Sequence, residues 1–154
     1  SSFMKHLTSQ DKSNHNCIIC KRFMYRIANF LADYINAEYI IDGSNIGQVA
    51  SQTLSNIILT SKVSKREILH PLLGKEKQEI IDMAIKHKTF EISKEKELAC
   101  RFLPSSPATK GNENVVKKKE NKLAPSKSDL GTARRSSTCA PTPTISPVGL
   151  INIL

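Results

Sequence analysis

A chain of 154 residues with 39% hydrophobic content can fill one core of ordinary domain size. It contains no run of about 18 apolar residues, which excludes a membrane-spanning helix. The formal charge of +9 favours an anionic partner such as nucleic acid, and four Cys at this length point to metal or redox chemistry in a reducing compartment rather than to a disulfide scaffold.

Residues 1–16 read as a flexible lead-in, and the stretch from Ser1 to His15 lacks the apolar core of a signal peptide, so a cytoplasmic protein is expected. Phe23, Ile27, Phe30, Leu31 and Tyr34 stand at helical spacing and predict an amphipathic helix over about 20–36. Tyr39-Ile40-Ile41, closed by Asp42-Gly43, reads as a buried strand and a turn. Ala50, Leu54, Ile57 and Ile58 line a second helix over about 47–58. Ile68-Leu69, before Pro71, is a candidate second strand, and Ile80, Ile81, Ala84 and Ile85 line a third helix that starts near Lys77. Strands alternating with helices imply a parallel sheet covered on both faces. Two short strands cannot form such a sheet alone, so the chain reads as the second half of a larger α/β unit.

Beyond residue 107 the composition changes. No aromatic residue lies past Phe102, and six of the seven Pro lie from Pro104 onward. Basic residues including Lys117, Lys118, Lys119, Arg134 and Arg135 face only Glu113, Glu120 and Asp129. Such a stretch cannot offset its ordering entropy. Residues 108–154 are therefore expected to be a basic, Pro/Ser/Lys-rich disordered tail, leaving 17–107 as the ordered domain.

Cys17-Ile18-Ile19-Cys20 opens the first helix. Two thiols three residues apart at a helix N-terminus sit near the positive end of the dipole, which favours thiolate. A redox pair, half a zinc site, an iron–sulfur pair and two merely packed cysteines all share this spacing. Zinc needs two further ligands, for which His15 and Cys100 are candidates. Gly43-Ser44-Asn45-Ile46-Gly47-Gln48 lies between a strand's carboxyl end and a helix start. Ligands bind at that edge of open parallel sheets, and Gly lets a phosphate or sugar approach the backbone; a tight turn wants Gly as well. On composition alone Lys75-Glu76-Lys77 is a solvated helix start. The Lys117–Lys119 run implies phosphate contact at most, and Cys139 is an unpaired thiol in the tail.

Four segments, taken in order, carry a resemblance: CIICKRFMYRIA from Cys17, GSNIGQVASQTL from Gly43, HPLLGKEKQEII from His70 and CRFLPSSPATK from Cys100. Together they resemble the C-terminal part of the tRNA 4-thiouridine sulfurtransferases, enzymes also tied to thiamine thiazole synthesis. The likeness covers about residues 17–110. It implies an α/β fold, namely the C-terminal half of a Rossmann-like PP-loop (adenine nucleotide alpha hydrolase-like) domain. The implied activity uses ATP, with magnesium, to adenylate O4 of uridine 8 in tRNA, after which a sulfur nucleophile displaces AMP. Under this resemblance Lys21, Gly43 and Gln52 match nucleotide-binding positions. Lys77 matches a lysine that helps at the activated uridine, and Cys100 a catalytic cysteine.

Some members of that family carry a rhodanese domain that delivers sulfur; the stretch after Thr109 is too short and polar to be one. Members without it pair CxxC with a third cysteine, which implies an iron–sulfur cluster on Cys17, Cys20 and Cys100, with zinc the alternative. The implied partners are tRNA, a sulfur donor (sulfide or a cysteine desulfurase), and either a missing N-terminal half with the THUMP domain or a homodimer partner. The family's SGGxDS pyrophosphate loop is absent from the sequence, as is the THUMP domain. Ser44 stands where the family usually has an acid, and Asp42, in place of a common Thr, is the nearby acid that could substitute. These departures leave a second expectation: a non-catalytic remnant that binds RNA or a partner, with its cysteines holding structural metal.

Overall fold

The structure is a computed structural model and describes residues 13–46, 49–94, 100, 104–123 and 150–153. In chain order these form α1 (Asn16–Ile35), β1 (Tyr39–Asp42), α2 (Leu54–Ser61), β2 (Ile68–Leu69), α3 (Lys77–Lys86), the short α4 (Phe90–Ser93), α5 (Glu113–Leu123) and β3 (Leu150–Ile153). The three strands make one sheet in the order β2-β1-β3. Both pairings are parallel, with Ile40 opposite Ile68 on one side and Ile151 on the other. No described helix is long and apolar enough to cross a membrane.

Helix α1 runs for 20 residues without Gly or Pro and stops at Asn36, whose left-handed φ of 55° lets its N–H return to the Ala32 carbonyl. Its packed face is not the aromatic one. Ile18, Ile19, Tyr25, Ala28 and Ala32 are buried, and Arg22 and Asn29 with them. Phe30 and Tyr34 are instead 71% and 70% exposed, and Ile27 and Leu31 also face outward. Small residues on the inner face let the helix lie close to β1, where large ones would hold it away.

Helix α2 begins at Leu54, later than the expected 47, because the Thr53 hydroxyl caps it by accepting from the Asn56 N–H. Residues 49–53 are turn and loop, and 47–48 lie outside the described residues. Ile57 and Leu59 are buried in this helix while Leu54 and Ile58 are exposed. Helix α3 starts at Lys77, as the spacing predicts, under a capping box in which the Glu79 carboxylate accepts from the Glu76 N–H at 2.7 Å.

The expected tail starts too early at residue 108. Ala108 packs against a core cluster of Ile18, Ile19, Leu59 and Val116, and Val116 comes from α5. Asn56 holds this segment down: its side-chain amide donates to the Ser51 and Ala108 carbonyls, and its Oδ1 accepts from the Gly111 N–H at 2.7 Å. Gly111 is required by the close approach, since a Cβ there would meet Ile18 Cδ1 at 2.6 Å and Leu59 Cδ2 at 2.7 Å. Further along, Glu120 receives both Arg22 (2.8 and 3.0 Å) and Arg26 (2.8 Å), while Arg22 also donates to the Leu59 carbonyl. Composition hid this because α5 is anchored by one buried valine and by two acids, Glu113 on Lys62 and Glu120 on Arg22 and Arg26, rather than by a broad apolar face. The strand β3 also falls in the stretch expected to be disordered; residues 124–149 and Cys139 lie outside the described residues.

Burial pushes the Glu120 carboxyl up, but the bonds from Arg22 and Arg26 outweigh it and hold its pKa below the ordinary 4.5. Glu120 therefore adds stability above about pH 4.5 that is lost as the pH falls through its lower folded-state value. Glu120→Ala is expected to cost about 2 kcal/mol, because it strands the buried Arg22 guanidinium. Thermal melts at pH 7 should fall by roughly 4–8 °C, and the gap to wild type should shrink below about pH 4.

Candidate functional site

At the carboxyl end of β1 an open cleft of about 390 Å³, counting the solvent space at its mouth, is lined by Cys17 and Lys21 from α1, Ser44 and Gln52 from the loop, and Asn56 and Thr60 from α2. Parallel sheets place ligands at this edge, where loop backbone and helix starts are available to them. One turn of α1 separates Cys17 from Lys21, so a thiol and a cation share one wall.

Behind that wall stands Asp42, only 1% exposed, at the last position of β1. Its Oδ1 takes Lys21 Nζ at 2.8 Å and the Ser44 N–H at 3.0 Å. Its Oδ2 takes the Ser44 hydroxyl at 2.8 Å and the Tyr25 phenol. Burial would raise this carboxyl, but the bonds from Lys21, Tyr25 and Ser44 prevail and hold its pKa below the usual carboxylate value. The same burial, with the Asp42 charge alongside, drives the Tyr25 phenol far up. His70, just after β2, sets Nδ1 at 3.8 Å from Asp42 Oδ2, and that nitrogen has no hydrogen-bond partner among the described residues. Burial lowers the His70 pKa, against the pull of Asp42 and with the push of Lys21, so the ring is neutral near pH 7.

Of the residues expected to bind nucleotide, Lys21 and Gln52 line the cleft, and Gly43 does not, though it directly precedes the lining residue Ser44. Gln52 is itself held, its Oε1 accepting from the Asn45 N–H at 3.0 Å. The Asn45 amide donates to the Leu72 and Lys75 carbonyls at 2.6 and 2.7 Å, tying this loop to the approach of α3. Lys77 opens α3 on the exposed surface and does not line the cleft. Gly47 and Gln48 lie outside the described residues.

Cys17 and Cys20 are half-buried and Cys100 is exposed. Cys100 lies near enough for its charge to raise the pKa of both other thiols, so the structure brings the three together. The expected thiolate character is reversed. Burial is the main cause of the upward shift of Cys17 and Cys20, and it outweighs a backbone hydrogen bond at Cys17 and the Lys21 charge at Cys20. Among the described residues no three His, Cys, Asp or Glu side chains converge on a point where a single ion could sit. His15 is no free zinc ligand, because its Nε2 accepts from the Asn112 N–H at 3.3 Å.

Sequence reasoning missed Tyr25, Asn56 and His70. The signal for Asn56 is an amide among the apolar residues of α2, and for Tyr25 its place one turn beyond Lys21. His70 gives no such signal, because only the parallel pairing of β2 with β1 brings it to Asp42.

A family model described as thiamine biosynthesis protein (ThiI) matches residues 1–124. A probable tRNA sulfurtransferase of Methanocaldococcus jannaschii is 42% identical over 120 residues, covering 78% of this chain and 32% of the relative. One of Methanobrevibacter smithii is 47% identical over 100 residues, covering 65% and 26%. Among solved structures, a 4-thiouridine synthetase in complex with RNA and bound ATP aligns with a TM-score of 0.73 at 33% identity, over 79% of this chain and 32% of that one. The chain thus spans about a third or less of the length of these relatives.

The raised pKa values of Cys17 and Cys20 make both protonated thiols near neutrality. Iodoacetamide followed by mass spectrometry at pH 7.5 should modify Cys100 at least about tenfold faster than either. The two slow rates should climb as the pH passes about 9. Equal rates at all three would contradict the burial described above.

Proposed function

This chain belongs to the thiamine biosynthesis protein (ThiI) family, and we propose that it supplies the C-terminal part of an ATP-dependent tRNA sulfurtransferase that converts uridine 8 to 4-thiouridine. One observation carries the reading: a single cleft has a cationic wall at Lys21 and a thiol at Cys17, with Cys20 and Cys100 beside it. Activation and sulfur transfer need those two chemistries next to each other. The likeness to a 4-thiouridine synthetase described with RNA and ATP supports it.

In the proposed reaction O4 of uridine attacks the α-phosphorus of ATP and pyrophosphate leaves. Sulfur then adds at C4, and AMP departs carrying the former O4. Lys21 lies where its ammonium would meet phosphate charge, which grows in the first step. Gly43 leaves backbone space at the strand end for the nucleotide, and Gln52 and Ser44 offer polar contacts beside it. Lys77, at the first turn of α3, would approach the activated uridine from the tRNA side. Its exposed position suits an anionic partner that binds over the cleft.

Cys17, Cys20 and Cys100 would hold an iron–sulfur cluster, which supplies a bound sulfur for transfer when it is present. The sulfur comes from sulfide or a cysteine desulfurase. Half-burial of Cys17 and Cys20 limits water at the transfer point, and the exposure of Cys100 leaves one side open to the donor. The pyrophosphate grip and the THUMP domain would come from the part of the longer relatives that this chain does not match. The basic surface of Lys117–Lys119 would add salt-sensitive affinity for tRNA.

The test is 4-thiouridine in bulk tRNA from cells deleted for the gene encoding this chain. Deletion should abolish it; wild type should restore it, and Cys100→Ser should restore less than about a tenth. Unchanged 4-thiouridine on deletion would overturn the proposal in favour of a non-catalytic RNA-binding remnant.

A further inference from the structure

We infer that Asp42 is a positioning residue: it holds the Lys21 ammonium at the cleft so that its remaining N–H groups face an anionic phosphate, and it does not itself bind metal or sugar. The inference rests on the nucleotide reading of the cleft and adds the device that aims its cation.

A buried carboxylate at the end of a central strand invites reading as a ligand for magnesium or a ribose hydroxyl. Its contacts argue otherwise. Oδ1 already accepts from Lys21 and the Ser44 N–H, and Oδ2 from Tyr25 and the Ser44 hydroxyl. With 1% of its surface exposed, Asp42 offers no open approach to a substrate. The available group is Lys21. An ammonium has three N–H donors, and one of them goes to Asp42. The lysine side chain is 23% exposed and lines the cleft. Its Nζ lies over the Tyr25 ring, 5.5 Å from the ring centre. Tyr25 thus braces both partners, contacting Lys21 with its face and Asp42 with its hydroxyl.

A long lysine side chain loses rotamer entropy when it is pinned. Pinned in advance by Asp42, it would meet a phosphate already aimed, which favours binding of that anion over a neutral ligand. Asp42 also keeps the local charge balanced while the cleft is empty.

The experiment uses the full chain and measures acylation of each lysine by acetic anhydride at pH 8 with mass spectrometry. In wild type, Lys21 should react several-fold slower than exposed Lys77. Millimolar ATP should slow Lys21 further, by at least about threefold, and adenosine should not. In Asp42→Asn the Lys21 rate should rise about five- to tenfold, and the protection by ATP should fall to the level of adenosine. Tyr25→Phe, which keeps the ring and the fold but removes one bond to Asp42, should give a smaller change in the same direction. It also serves if Asp42→Asn does not fold, and an unchanged Lys21 rate in it would then overturn positioning. An unchanged Lys21 rate in folded Asp42→Asn overturns it directly. Faster labelling in Asp42→Asn without ATP protection in wild type keeps positioning and overturns the phosphate role of Lys21 in this chain. Equal protection by ATP and adenosine overturns the phosphate role alone.

Discussion

Asp42 is a charge set almost wholly inside the protein, and it stays ionised there only because an ammonium, a phenol, a hydroxyl and a backbone N–H surround it. Those groups come from two places, helix α1 and the loop after β1. Lys21 and Tyr25 fix the rotation of α1 about its axis, Ser44 fixes the direction of the chain leaving β1, and His70 brings the end of β2 alongside. One carboxylate thus registers a helix, two strands and a loop against one another. A helix rotated by even one residue would turn Lys21 away and leave the carboxylate uncompensated, at a cost that few apolar contacts would offset.

A second set of polar ties closes the other side. Asn56 holds residues 108–111 across the start of α2, and Glu120 binds two arginines of α1, so the segment after Cys100 lies against the same helix that carries Cys17 and Cys20. Residues 104–123 contribute to the core, to which Val116 and Ala108 belong. Beyond residue 124 the family model ends, yet β3 still lies beside β1 in the sheet.

Much of the framework was legible because it rests on local rules. The strand at Tyr39–Asp42, the pair at Ile68–Leu69 and the start of α3 at Lys77 follow from short apolar runs, turn residues and helical spacing. The periodicity of α1 was legible too, but not its packed face. Hydrophobicity favours the aromatic stripe, whereas close packing on β1 selects Ala28, Ala32 and a ring whose hydroxyl meets an acid. Helix α5 was illegible for a related reason, because its lysine-rich sequence is held by a buried ion pair whose other half lies 98 residues earlier. The site follows the same division. Lys21, Gly43, Gln52 and the cysteines sit in recognisable strings, whereas Asp42, Tyr25 and Asn56 matter through partners that only the fold brings together.

The two wall residues of the cleft explain why its chemistry belongs on one helix. Cys17 and Lys21 are one turn apart, so whatever aims the lysine also sets its distance from the thiols, and the Lys21 charge already acts on Cys20. Burial, with the neighbouring thiols adding to it, raises the pKa of both. A metal or cluster must therefore displace protons to bind, and it gains from a nearby cation as negative charge accumulates on sulfur. A phosphate that draws on the same cation would compete for it. One ammonium thus acts on both Asp42 and Cys20, and Asp42 holds it in place between the strand end and the thiols.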